Sequence, residues 1–414
     1  MRGRAAIVAI ATAALCGFLP AGPAYADGIR DAQWHVRFLD LTAVHRISQG
    51  DGVTVAIVDS GVDGTHPDLS GALLPAVDAT NVLEATTQSD VDGRGTGLAG
   101  LVAGHGHGPA QAPAPPGPGP TTGPGTIPLG VDGVLGIAPH ARILPVVITT
   151  KPGQYGDPDV LADGIDLAVS RGAAVICIGR GMPTTPRLEQ AVTSAVRAGV
   201  IVVAPTGGRA GETFMPWPAS YPGVVAVAAV DKSGAAIGKP ATPPTLAAPG
   251  VDLVTTDARG GYRIEAGTGA AAIVAGAAAL VRSRYPQLAA QAVVARLTGT
   301  SSDRGPAGRD DEYGFGVLDV TAALTRSIPT QPPVPSAAPS PTRPGLAPIA
   351  VAPSATPGTV AEPRTVTPAF ASGDWRRWLV ALPLLGFLVA LVLFGFADRN
   401  RSGLAGRQGV RAPR

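Results

Sequence analysis

Apolar residues along this chain gather into short runs separated by longer stretches of mixed character. VTVAIVD (53–59), ARILPVVI (141–148), AAVICIG (173–179), GVIVVAP (199–205) and GVVAVAAV (223–230) are rich in small and β-branched residues and have the length of buried strands. Between them, DPDVLADGIDLAVSRG (157–172) and RLEQAVTSAVRAG (187–199) place apolar residues at helical spacing and close near a glycine. Strands alternating with helices predict an α/β fold, a mostly parallel sheet covered on both faces by helices and joined by right-handed crossovers. In such folds chemistry collects at the C-terminal ends of the strands. The first of those ends carries Asp59.

The two ends of the chain follow different patterns. Residues 1–26 read as a secretory signal: Arg2 and Arg4, an apolar run from Ala5 to Leu19, and a small-x-small cleavage site at Ala24-Tyr25-Ala26. Residues 327–373 are rich in Pro, Ala, Ser and Thr, the composition of an extended spacer. Trp378 to Ala397 carries no charge and has the length of a membrane-spanning helix, with Trp375 and Trp378 at its edge. Five arginines in the tail 398–414 predict a cytoplasmic C-terminus. The expected organisation is therefore a signal peptide, a globular domain over Asp27–Arg326, a linker, a juxtamembrane and transmembrane segment (374–397) and a basic tail. A Pro/Gly-rich run at 106–125 is expected to be an exposed loop within the domain.

Charge narrows the function. Lys+Arg 32 against Asp+Glu 30 leaves a net charge of +2, which argues against a nucleic-acid-binding surface. The two cysteines, Cys16 and Cys177, allow no cysteine-based zinc site, and removing the signal would leave Cys177 alone. No dense aspartate cluster calls for a metal, and no cofactor is expected.

At Asp59 the residues resemble a family. Asp-Ser-Gly followed by His-Pro-Asp-Leu, in VAIVDSGVDGTHPDL, is similar to the aspartate motif of the subtilisin-like serine proteases. GVLGIAPHARILPV (133–146), FMPWPASYPGVVAVAAV (214–230), AAPGVDL (247–253), IVAGAAALVRSRYP (273–286) and YGFGVLDV (313–320) continue the resemblance in order. It implies a subtilisin-like three-layer fold. The opening QWHVRFLDLTAVHRISQGDGVTVAIVDSGVD (33–63) and the overall layout resemble the mycosins, membrane-anchored subtilases of type VII secretion systems, although the domain lacks their disulfide cysteines.

Serine hydrolysis needs a hydroxyl nucleophile, an imidazole base, a carboxylate that orients it, and donors for the oxyanion. The resemblance places these at four positions, and only Asp59 is retained. Arg94, in DVDGRGTGLAGLVAG, stands at the histidine position, and a guanidinium cannot act as a general base. Counting back without a gap from Val274-Ala275-Gly276 puts Thr268 at the serine position; a one-residue gap puts Gly269 there. Gly208 takes the place of the oxyanion asparagine. His105 and His107 lie roughly 16 Å along the helix expected after Arg94 and are assigned to the exposed loop. His66 has a structural role in the family. Asp59 and Arg94 are expected to face one another as an ion pair, the other option being an Arg94 that reaches solvent. Arg180 is expected to project near any bound peptide.

The resemblance thus implies an exported, membrane-tethered subtilase without catalysis, acting as a scaffold or binding partner of the type VII secretion membrane complex, with peptide as a second possible ligand. Two alternatives stay open: an active serine-type endopeptidase with a non-standard catalytic set, and a cell-surface peptide-binding protein unrelated to secretion.

Overall fold

The computed structural model describes residues 28–80, 89–108, 129–130, 132–154, 156–207 and 214–327. The expected signal peptide, linker, transmembrane segment and tail, most of the 106–125 run, and Gly208 lie outside the described residues. Among those described, no helix is long and apolar enough to cross a membrane.

Three short helices open the domain: α1 (Gly28–Ala32), α2 (Trp34–Phe38) and α3 (Leu41–Val44). Side chains stitch this segment to distant strands. The Gln33 amide donates to Leu135 O and Val254 O and accepts from Leu135 N, and the Trp34 indole donates to Val251 O. Then come β1 (Thr54–Asp59), β2 (Val77–Asp78), α4 (Arg94–Ala103) and a hairpin of β3 (His105–His107) and β4 (Asp132–Leu135). β5 (Arg142–Val147), α5 (Pro158–Ser170), β6 (Val175–Ile178), α6 (Pro186–Arg197), β7 (Ile201–Pro205), β8 (Val225–Val230) and β9 (Leu246–Pro249) follow. The order closes with a hairpin of β10 (Leu253–Thr256) and β11 (Tyr262–Glu265), then α7 (Gly269–Arg284), α8 (Ala290–Thr300) and α9 (Val320–Thr325).

The main sheet has seven strands in the order β2-β5-β1-β6-β7-β8-β9, and every pairing is parallel. Period-two alternation sends neighbouring residues to opposite faces. Val55, Ile57, Cys177, Val203 and Val225 pack with α4, α7 and α8, whereas Ala56, Val58, Val146, Ile176 and Val202 pack with α5 and α6. This is the helix–sheet–helix arrangement that the sequence predicts. α7 is buried from Gly269 to Val281, as an Ala-rich helix that is apolar all round must be. The starts of α5 and α6 were legible locally. Asp157 and Thr185 accept from Asp159 N and Leu188 N, and each precedes a proline at the first helical position.

The chain departs from β1 to β5 on one side and returns to β6 on the other. That reversal places a crevice at the C-terminal end of β1. Asp59 lies there.

Candidate functional site

Asp59 is fully buried, and its carboxylate is saturated with donors. Ser60 N donates to Oδ1 at 2.8 Å and Arg94 Nε to Oδ1 at 3.1 Å. Arg180 grips both oxygens, Nη2 on Oδ1 at 2.6 Å and Nε on Oδ2 at 3.3 Å. Burial alone would raise the pKa of this carboxyl, but the charges of Arg180 and then Arg94 outweigh it and hold the group well below the ordinary carboxylate range. It is an anion at every working pH.

The expected pair of Asp59 and Arg94 forms, but as the lesser half of a three-residue cluster. The stretch before Arg94 is wrapped around Asp90, whose carboxylate accepts from Ser60 Oγ, Asp92 N, Gly93 N, Thr96 N and Thr96 Oγ1. Gly93 starts α4 in the left-handed region, φ 79°, where a Cβ would collide with the Asp257 carboxylate. The next residue is thereby aimed at Asp59. The Arg94 side chain is 21% exposed; Nε is spent on Asp59, and Nη2 lies 3.9 Å from Asp92.

Arg180 corrects the sequence-based expectation. It does not project toward a bound peptide. Its side chain is fully buried beneath Asp59, and Nη1 donates to Gln154 O at 2.8 Å. Gly179 makes this possible: a Cβ there would fall 2.3 Å from Leu98 Cδ1 and 2.8 Å from Asp59 Oδ2. The backbone passes close to the carboxylate and the next side chain turns underneath it.

Thr268 is the cap residue of α7, yet its hydroxyl does not cap the helix. It donates to Glu265 Oε1 at 2.7 Å. Glu265 is itself buried, with Arg263 Nε 3.6 Å from its other oxygen. Burial pushes its pKa up, against the pull of Thr268, Arg263 and Arg94, and repulsion from Asp59 adds to the rise. The acid therefore belongs to the same electrostatic neighbourhood as the arginine cluster. Sequence reasoning missed it, although Glu265 is the only carboxylate between Asp257 and Asp303. Gly269, the gapped candidate, is fully buried, and a Cβ there would lie 2.9 Å from Leu253 Cδ1 and 3.0 Å from Leu101 Cδ1. Gly208 lies outside the described residues.

All six histidines are described, and none is hydrogen-bonded to Asp59 or Thr268. His105 and His107 are not in an exposed loop, contrary to expectation. His105 is buried in β3 with Nε2 on Ser70 O at 2.9 Å, and the half-buried His107 meets buried Asp68 through Nδ1 at 2.6 Å. The Pro/Gly-rich composition begins at Gly106, but strand pairing with Asp132–Leu135 extends past it. His66 is structural: Nδ1 accepts from Asp68 N and Nε2 donates to Gly261 O. Among the described residues no cluster of His, Cys, Asp or Glu could hold a metal ion.

A doubly covered parallel sheet, an aspartate at the end of an interior strand, and a buried helix opening beside it define a doubly wound α/β scaffold. Residues 50–316 match the Subtilase family (peptidase S8), and the chain belongs to that family. Subtilisin DY of Bacillus licheniformis is 33% identical over 285 residues, 66% of this chain and 92% of that protein. Fervidolysin of Fervidobacterium pennivorans is 29% identical over 344 residues, 74% of this chain; the chain spans only 46% of that relative's length. Among solved structures, MycP1 with its N-terminal propeptide removed superposes with a TM-score of 0.58 at 26% identity, covering 72% of this chain and 98% of that one. MycP1 from Mycobacterium smegmatis superposes with a TM-score of 0.58 at 25% identity, covering 76% of this chain and 88% of that one. The chain is thus a subtilase similar to the mycosins.

Proposed function

We propose that this protein is a non-hydrolytic subtilase, exported and tethered to the membrane, that works as a scaffold or binding partner of a type VII secretion complex. The observation that carries the first half is the occupation of Asp59. Its carboxylate, which in an active relative would orient an imidazole, is held by Arg180 and Arg94 instead. Neither guanidinium can accept a proton, so no group in the cluster can serve as the base that a hydroxyl nucleophile needs. The secretion role rests on the likeness to MycP1 and on the sequence layout of signal, domain, stalk and apolar segment.

Casein and peptide-ester hydrolysis by the purified domain, together with co-purification of the full chain with the membrane-channel subunits of its host, tests both halves. Background hydrolysis with co-purification is the expected result. Turnover that vanishes in Thr268→Ala would overturn the non-hydrolytic half, and a full chain that purifies free of the channel would overturn the scaffold.

One observation favours a second reading, an endopeptidase with a non-standard catalytic set. Thr268 Oγ1 and Glu265 Oε1 are at nucleophile-to-base distance, 2.7 Å. A carboxylate is a far weaker base toward a threonine hydroxyl than an imidazole is. Under this reading activity would follow the ionisation of Glu265 and be lost in Glu265→Gln.

A further inference from the structure

α7 begins beside the candidate site at Gly269 and ends fifteen residues later at Arg284, roughly 22 Å away at ~1.5 Å per residue. The far end of the domain has a distinct charge pattern. Arg282 Nη2 donates to Gly199 O, which brings Arg197 at the end of α6 alongside. Ser48 Oγ donates to Leu280 O and brings in the segment carrying Arg46. The guanidinium groups of Arg284 and Arg296 both lie over the Tyr285 ring, 5.3 and 4.3 Å from its centroid. Arg296 donates to Ala323 O and, at 2.5 Å, to Arg326 O, while Tyr285 OH donates to Leu324 O.

Six arginines, 46, 197, 282, 284, 296 and 326, are therefore linked through neighbouring segments. The segments that carry them (41–50, 190–201, 266–302 and 320–327) contain no Asp or Glu, and the exposed acids that flank them are Asp40, Asp51, Glu189 and Asp303. Among the described residues none of the six has a carboxylate within ion-pair distance, whereas exposed Arg187 on α6 pairs with both Asp163 and Asp166. Arg46, Arg197, Arg284 and Arg326 are exposed. The described chain also leaves the domain here, at Arg326 and Ser327, before the Pro-rich stretch and the apolar segment.

We infer that this face docks on the headgroups of an anionic lipid bilayer. The inference rests on the membrane-tethered reading and adds an orientation to it: the domain lies down on the membrane with its arginine face, and the crevice at Asp59 is turned away. A surface of exposed, unpaired arginines is complementary to an anionic leaflet, and the described chain leaves the domain beside one of them, Arg326. Guanidinium groups suit phosphate headgroups because each can donate two parallel hydrogen bonds. Arg282 and Arg296 serve structurally, through their carbonyl contacts, and the four exposed arginines make the contact.

The test uses the soluble Asp27–Ser327 domain. Its hydrophobic clusters lie wholly within residues 34–324, and this chain covers 98% of the solved MycP1 chain. Sedimentation is measured with vesicles of phosphatidylcholine alone and of phosphatidylcholine with phosphatidylglycerol. Binding to the anionic vesicles only, weakened by salt, is expected. Arg46→Gln, Arg197→Gln, Arg284→Gln and Arg326→Gln together should lower partitioning at least about 100-fold, from about fivefold per charge. Neutralising Arg37, Arg259, Arg304 and Arg309, exposed elsewhere, should leave it nearly unchanged. No anionic binding, equal loss in both quadruple variants, or full displacement by free glycerophosphate would overturn the inference. Fractionation of the full chain with membranes reports the tether separately, so a failed docking face and a failed tether give different results.

Discussion

Replacing Arg180 by methionine removes the guanidinium but keeps most of the apolar stem, so the change isolates its charge and hydrogen bonds. Arg180 is fully buried and gives Asp59 two of its four hydrogen bonds, including the shortest. The substitution leaves a buried carboxylate leaning on Arg94 alone, and breaking a buried pair in this way costs roughly 3–5 kcal/mol. Arg94→Met should cost less, about 1–2 kcal/mol, because its side chain is one-fifth exposed and solvent screens what remains. Asp59→Ala strands two guanidinium groups of like charge and should be the most damaging single change. Urea unfolding of the domain, with a full double-mutant cycle for each arginine, gives the coupling energies. The Asp59–Arg180 coupling should be at least ~2 kcal/mol, exceed that of Asp59–Arg94, and persist in high salt, where a buried pair is little screened. Additive losses, or a larger coupling to Arg94 than to Arg180, would refute the reasoning that Arg180 is the principal lock.

Further outcomes concern other groups. His35 is wholly buried with both ring nitrogens unpartnered, and burial lowers its pKa to about 3. The unfolded chain takes up a proton below about pH 6.5 that the folded chain refuses, so stability should fall by up to ~1.4 kcal/mol per pH unit from there toward pH 3; His35→Leu should flatten that slope in thermal melts. Glu265 has the opposite sense: its folded pKa is raised, so its ionisation costs stability as pH rises above the unfolded value. Glu265→Gln should therefore be more stable than wild type near pH 7, with the gain fading near pH 4, measured by denaturant midpoints. Arg94→His with Thr268→Ser should not restore efficient hydrolysis of a chromogenic peptide, because Arg180 still holds the carboxylate that must orient the new imidazole.

The sheet was legible because its strands are apolar on both faces and their Val- and Ile-rich runs stand out against the intervening helices. Asp59 followed from the rule that strand ends carry chemistry, and its pairing with Arg94 followed from matching two motifs. Arg180 was not legible. Simple strand alternation says nothing about a side chain one residue past a glycine, and here Gly179 lets the backbone approach close enough for Arg180 to fold under Asp59. Glu265 carried a faint signal, a lone acid in a long acid-free stretch, but its meaning depends on the turn that brings β11 to the start of α7. His105 and His107 were misplaced for a similar reason. Their strand partner lies beyond a Pro/Gly-rich insertion, and local composition hides a pairing of that separation.

The central claim is that the hydroxyl at the start of α7 is not activated, because no imidazole stands beside it and its partner, the Glu265 carboxylate, is a weak base. Fluorophosphonates react only with an activated hydroxyl, so intact mass of the domain after long exposure to one reads the claim directly. The account predicts no adduct on the wild-type domain, under conditions that label subtilisin to completion. A stoichiometric adduct that disappears in Thr268→Ala would contradict it.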